Sequence, residues 1–144
     1  MKYKKIDKFT SCGGILFFKD KIVLLFHHKR KELVFPQGHQ KGGETLKETA
    51  LREIKEETGF QSLRYIRKLG QHQYNFVQDD VKYYKTIHIY LFELLDKKHK
   101  KNTQEPNEHF SNRFFSYQEA MNKLKWEADK KLLKKAKKYI DNII

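Results

Sequence analysis

Five glutamates fall between Gly38 and Phe60, in the stretch GHQKGGETLKETALREIKEETGF, of a chain whose formal net charge is +13. On a 3.6-residue period Glu53 lies one turn before both Glu56 and Glu57, so three carboxylates share one helical face. Leu46, Ala50 and Ile54 line another face, which suits a core. Carboxylates so close repel one another unless a cation lies among them. Magnesium is a hard ion that takes oxygen ligands and bridges carboxylates to substrate phosphates, and it matches this donor set; Mn2+ is the alternative ion. Arg52 is in reach of Glu48 by an i, i+4 pair and can tie the helix to the preceding loop through bidentate carboxylate contacts. The competing reading of the same residues is a solvated acidic helix face.

The elements that must position these groups are marked in the sequence. Thr45-Leu-Lys-Glu48 is a capping box, which predicts a helix starting just after Glu44, and Gly59 supplies the φ > 0 that ends it. Leu33-Val34-Phe35 predicts a short strand stopped by Pro36. Gln37 to Gly43 then reads as a glycine-rich loop feeding the helix, where free N–H groups and the positive helix end attract anions. Upstream, Ser11 to Phe18 and Lys21 to His27 predict a hairpin about Lys19-Asp20, with Gly13-Gly14 marking a bulge or a close backbone approach. Met1 to Thr10 is basic, poorly patterned and reads as a lead-in. His27 to Arg30 is a cationic cluster, either a solvated turn or a phosphate contact.

Downstream, Leu63 to Val77 and Val81 to Leu95 read as an antiparallel pair joined by Gln78-Asp79-Asp80. Their aromatics suit cross-strand packing, with Tyr74, Tyr84, Tyr90 and the later Trp126 as candidate stacking surfaces for a nucleobase. Asp96 to Pro106 is a polar, lysine-rich loop, and Asn112 to Phe115 a last short strand. Ser116-Tyr-Gln-Glu119 is a second capping box, opening a helical region to the C-terminus. Met121, Leu124, Ala128, Leu132, Ala136, Ile140 and Ile143 give it an apolar stripe for packing on the sheet.

Composition sets the outer limits. The 144 residues predict one domain with a real core, and 38% hydrophobic content with 14% aromatics argues against disorder. A single cysteine, Cys12, predicts a reducing cytoplasm, and no run of apolar residues is long enough to span a membrane. The positive charge suits a polyanionic ligand such as a nucleotide or RNA, or serves solubility.

Gly38, five residues, Glu44, seven residues, Arg52-Glu53-Ile54, one residue, Glu56-Glu57, one residue and Gly59-Phe60 resemble the Nudix box at every defining position. Seven fixed identities at roughly 6% each put a chance match on the order of 10⁻⁹ per start point. The order of elements is similar to the Nudix α/β/α sandwich around a mixed β-sheet, an α/β fold in which residues 1–144 form one domain with the box at 38–60. The resemblance implies a Mg2+-dependent pyrophosphohydrolase acting on a nucleoside diphosphate linked to another moiety. Within the family, Phe35-Pro36-Gln37-Gly38-His39, Lys85-Thr86-Ile87 and Glu108 to Phe115 are similar to asymmetrical diadenosine tetraphosphate hydrolases.

That likeness implies a set of roles. Glu53, Glu56 and Glu57 hold metal, with the backbone carbonyl of Gln37 as a further ligand and Glu108 as an extra ligand or general base. Arg52 and Glu44 hold loop and helix together, and His39 and Lys85 contact phosphates. The reaction implied is attack of a metal-activated water on a phosphorus of the polyphosphate chain, giving ATP and AMP. The family's usual Trp and Lys before the box are here Leu33 and Gln37, and Phe-Pro-Gln-Gly is also the wording of bacterial RNA 5′-pyrophosphohydrolases. An RNA 5′ end is therefore the second substrate class, and a (d)NTP or other nucleotide derivative the third. Outside enzymology, a nucleotide-binding sensor without catalysis and a basic RNA-binding module are the alternatives; monomer and homodimer both stay open.

Overall fold

Tight turns at Lys19-Asp20 and Asp79-Asp80 fold the two longest stretches of the chain back on themselves. Lys19, Asp79 and Asp80 have φ of 54°, 51° and 64°, the left-handed values by which a two-residue turn follows strand twist. The computed structural model describes residues 3–100 and 110–144. Its strands are β1 (Lys5–Phe18), β2 (Lys21–His27), β3 (Glu32–Val34), β4 (Gln37–His39), β5 (Leu63–Gln78), β6 (Val81–Leu94) and β7 (Phe110–Phe115). Its helices are α1 (Leu46–Thr58), α2 (Tyr117–Lys123) and α3 (Glu127–Ile143).

The sheet runs β3-β2-β1-β6-β5, with β4 also paired to β1 and β7 to β2. β1 and β6 are parallel from Lys5↔Val81 to Phe17↔Glu93, and every other pair is antiparallel. The sheet is therefore mixed and the class α/β, as the resemblance implied. Along the edge of β1 that faces away from β6, β4 pairs at Ser11–Gly13 and β2 at Leu16–Phe18. The sheet thus parts between β1 and β2, and Phe35-Pro36 carries the chain across from β3 on β2 to β4 on β1.

Alternation along β1 and β6 builds two cores. Ile15, Phe17, Ile87, Ile89 and Leu91 face α2 and α3, burying Ala120, Leu124, Leu133, Ala136 and Ile140. Cys12, Leu16, Tyr90, Phe92 and Leu94 face α1, burying Ala50, Ile54 and Phe60. α1 can lie this close because Gly14 has no side chain: a Cβ there would press on Ile54 Cδ1 at 2.7 Å.

Several expectations change. Lys5 to Thr10 is no lead-in but the first half of β1, held by its parallel pairing with β6. Gly13-Gly14 is a close approach and not a bulge, since the β1–β6 register runs through it unbroken; the irregularities lie in β5, between Tyr65 and Arg67 and between Lys68 and Gly70. Gln37 to His39 is a strand, not loop. The C-terminal helical region is broken where Leu124 turns extended (φ −68°, ψ 136°). Beyond that break Leu133, Ala136 and Ile140 are the buried side chains, with Leu132 only partly buried and Ile143 exposed.

Candidate active site

Both ends of α1 are built as the sequence specifies. The Thr45 hydroxyl accepts from Glu48 N–H at 3.1 Å and the Glu48 carboxylate accepts from Thr45 N–H at 2.8 Å. Gly59 closes the helix at φ 80°, donating its N–H to Lys55 O. With Glu48 engaged in this cap, Arg52 does not pair with it as its spacing suggested. Arg52 instead reaches back to Glu44, through Nε at 2.6 Å and Nη2 at 3.0 Å, and sideways to Glu53 at 2.8 Å and Glu56 at 3.3 Å. Its Nη2 also donates to His39 O at 2.9 Å. One guanidinium thus ties the helix, the loop before it and the end of β4 into a unit.

Glu44 is the carboxylate that Arg52 grips through two nitrogens. Its pKa is pulled down to about 2, first by the hydrogen bond from Arg52, then by those from Lys41 N–H and Thr49 Oγ1. The Arg52 pKa is correspondingly raised, chiefly by Glu44. Glu44 therefore stays ionised through the acid range and the pair acts as a permanent clamp.

The metal candidates lie against β4. Gln37 N–H donates to Glu57 Oε1 at 2.8 Å. Gly38 leaves the space that the Glu53 carboxylate fills, and a Cβ at Gly38 would collide with that carboxylate. Among the described residues no three His, Cys, Asp or Glu side chains converge closely enough to hold an ion, because Arg52 binds Glu53 and Glu56 while the Gln37 backbone binds Glu57. The donor chemistry nonetheless fits a hard divalent cation: Glu53, Glu56 and Glu57 offer only carboxylate oxygens, beside a strand end that offers carbonyls. On the opposite face of the sheet, Ser11 Oγ and Gln37 Oε1 are buried with no hydrogen-bond partner among the described residues, which leaves acceptor capacity on the His39 side.

His39 points to the sheet face opposite α1, where it packs on Phe9 with ring centroids 4.9 Å apart. Phe9 meets Phe76 and Tyr83, and Phe76 stacks on Tyr83 at 5.0 Å with 19° between the rings. Tyr74 flanks Phe76 at 6.1 Å. The Lys85 ammonium lies 5.7 Å from the Phe9 ring and 5.8 Å from the Tyr74 ring. His72, its pKa lowered by burial and then by Lys85, is neutral at physiological pH. His39, Lys85 and Tyr74 therefore belong to one cluster of aromatic and cationic groups that adjoins β4.

The other candidate aromatics are placed elsewhere. Tyr90 is 6% exposed, in the core under α1, so it presents no face to a base. Tyr84 points to the α1 side of the sheet, away from Tyr74, because adjacent residues of β6 alternate faces. Trp126 sits at the break between α2 and α3 with Lys125 Nζ 4.9 Å from its ring. Glu108 lies outside the described residues. The His27 to Arg30 cluster is a turn: Lys31 N–H donates to His27 O, His27 is buried against Phe110, and Arg30 pairs with Glu32. Phe9 and Ser11 were not singled out as site residues because their surroundings come from long-range pairing with β4 and β6; the local signs were the apolar Ile6 and Phe9 in a lysine-rich segment.

Comparison with known proteins agrees with this architecture. The chain is 43% identical over 60 residues to a protein of Mycobacterium tuberculosis named as a mutator protein, MutT4. It is 37% identical over 65 residues to one of Lactococcus lactis named as a DHNTP pyrophosphohydrolase. These matches cover 42% and 45% of this chain but only 24% and 37% of the two relatives. In fold it is similar to a C. elegans Ap4A hydrolase in a binary complex, with a TM-score of 0.73 at 18% identity, covering 93% of this chain and 98% of the other. A Nudix hydrolase structure from Listeria monocytogenes superposes with a TM-score of 0.72 at 19% identity, covering 92% and 94%. The family model described as the NUDIX domain matches residues 9–136, and with the box helix seated on β4 as described, the chain belongs to the Nudix hydrolase family.

Proposed function

We propose that the chain is a Mg2+-dependent pyrophosphohydrolase, with residues 1–144 as one catalytic domain in a reducing cytoplasm, and that it splits diadenosine tetraphosphate unsymmetrically into ATP and AMP. The observation that carries the substrate choice is the cluster of His39, Lys85, Phe9 and Tyr74 next to the box. Aromatic faces for a base and two basic side chains for phosphates stand together, as a dinucleoside polyphosphate requires. The C. elegans Ap4A hydrolase likeness supports the fold in which this cluster sits.

Glu53, Glu56 and Glu57 would hold the metal, with the Gln37 carbonyl beside them and Glu108 assigned on sequence as an extra carboxylate or general base. Mg2+, when bound, supplies a Lewis acid that neutralises phosphate oxygens and lowers the pKa of a water. Arg52 and Glu44 keep α1 in register with the loop, while His39 and Lys85 orient the polyphosphate and Tyr74 stacks an adenine. Such work is positioning and charge stabilisation, with no covalent step demanded of the protein.

Two measurements test this. Glu57→Gln keeps the side-chain volume but removes a metal charge, so turnover falls by two orders of magnitude or more with an unchanged circular dichroism spectrum; near-normal activity at millimolar Mg2+ refutes the metal assignment. A comparison of kcat/KM among diadenosine tetraphosphate, 5′-triphosphorylated RNA and NTPs at one Mg2+ concentration tests the substrate. A tenfold preference for the RNA overturns the dinucleotide in favour of an RNA 5′ end, and a preference for an NTP overturns both.

A further inference from the structure

α1 covers only one end of the sheet face on which it packs. Register places Lys8 and Thr10 of β1, Lys82, Tyr84 and Thr86 of β6, and Gln73 of β5 together on the uncovered end. A cleft of about 650 Å³ opens there, lined among others by Lys8, Thr10, Gln73, Tyr84 and Thr86, within the size range of ligand-binding clefts. Lys8, Gln73 and Tyr84 are exposed, and Gln73 Nε2 donates to Thr86 Oγ1 at 3.2 Å. Lys82 stands between two rings, its ammonium 5.3 Å from Tyr84 and 5.2 Å from Tyr3. No residue that β1, β5 or β6 directs to this face is acidic.

We propose that this face binds single-stranded nucleic acid, with a base stacked on Tyr84 and backbone phosphates held by Lys8 and Lys82, at a place distinct from the Glu53–Glu57 site. The combination is selective. A sheet surface with an exposed aromatic ring, flanking lysines and neutral amide and hydroxyl groups meets the two needs of an unpaired strand: a platform for any base and cations for its backbone. A second copy of the chain is a poor occupant, because it would set lysines against lysines in a protein of net charge +13. The cleft also adjoins the loop that enters α1, since Thr10 O accepts from Gln40 N–H at 3.0 Å. This inference stands independently of which polyphosphate the box hydrolyses.

The test uses the full chain and a fluorescein-labelled single-stranded RNA 10-mer with a 5′ hydroxyl, which offers no pyrophosphate to the box. Fluorescence anisotropy at several salt concentrations gives affinity and salt slope. Tyr84→Ala weakens binding by about tenfold. Lys8→Gln combined with Lys82→Gln lowers the log–log salt slope by about 1.4, two phosphate contacts on a single strand, and leaves diadenosine tetraphosphate hydrolysis within twofold. Lys134→Gln with Lys135→Gln, on the exposed side of α3, changes neither. The proposal is overturned if the RNA fails to bind, if the α3 variant weakens binding as much as the sheet variants, or if a duplex of the same length binds equally well. Binding of anionic phospholipid vesicles that depends on these residues, with RNA binding indifferent to them, also overturns it. Circular dichroism confirms that each variant is folded, so a loss of binding reports on the surface.

Discussion

Replacing Arg52 by Gln removes the cation that links Glu44, Glu53, Glu56 and the His39 carbonyl. The side chain is 21% exposed and Glu44 is 19% exposed, so the network sits between a surface ion pair worth about 0–1 kcal/mol and a buried one whose disruption costs about 3–5 kcal/mol. A loss of about 2–3 kcal/mol follows. For a chain of this size that lowers Tm by roughly 8–12 °C. Mg2+ can then take over charge compensation that Arg52 supplied to Glu44, Glu53 and Glu56. Saturating Mg2+ should therefore raise the Tm of the variant by more than that of the wild type, through ligand linkage. Acid titration gives a second readout. The Glu44 pKa is depressed to about 2 in the native protein, so its stabilisation is present above the ordinary carboxyl range and is lost as pH falls towards 2; Arg52→Gln moves that loss to higher pH. Scanning calorimetry with and without Mg2+ at pH 7, and circular dichroism between pH 2 and 6, are the assays. A drop in Tm under 3 °C together with equal Mg2+ responses would refute the clamp.

Gly38→Ala forces a Cβ into the Glu53 carboxylate; a displacement near 1 Å at the reacting centre lowers kcat about 100-fold, while overpacking costs about 1–3 kcal/mol by urea denaturation. Asp129 is half-buried, and desolvation followed by the charge of Glu32 raises its pKa from 3.8 to about 6. The native state thus holds this proton more tightly than the unfolded chain, so the contribution to stability is best below pH 4 and falls as pH rises to 6. Asp129→Asn should gain about 1–2 kcal/mol at pH 8 and nothing at pH 4, measured by thermal melts. Thr45→Ala removes the hydroxyl that accepts from Glu48 N–H but keeps the backbone N–H that donates to the Glu48 carboxylate, and should cost about 1 kcal/mol in urea denaturation.

What the sequence showed and what it hid divide by the range of the interactions. α1 was legible to the residue, because Thr45 with Glu48 at one end, and Gly59 with Lys55 at the other, make contacts within four positions. The turns at Lys19 and Asp79 were legible for the same reason. Arg52 was assigned a neighbour one turn away and took partners eight and thirteen positions back, since Glu48 was already held by the cap. The strand character of Lys5 to Thr10 could not be read locally: its pattern is irregular, and only pairing with Val81 to Thr86 makes it a strand. Which aromatics share a face was equally hidden. Tyr83 and Tyr84 look alike in sequence, yet a register set by two neighbouring strands sends the first to Phe76 and the second to the opposite face.

The parallel pairing of β1 with β6 also constrains the order of events at the ribosome. β1 leaves the exit tunnel first, but the strand that completes it emerges half a chain later, and α1 has only part of its docking surface until Tyr90 and Phe92 arrive. During that interval β1 and β2 form an unsupported hairpin exposing Ile15, Leu16 and Phe17, the kind of edge that recruits other chains. Slowing translation just before Val81 would lengthen the exposure and favour aggregation, and a pause after Leu94 would still leave Ile15 and Phe17 uncovered until α2 and α3 emerge.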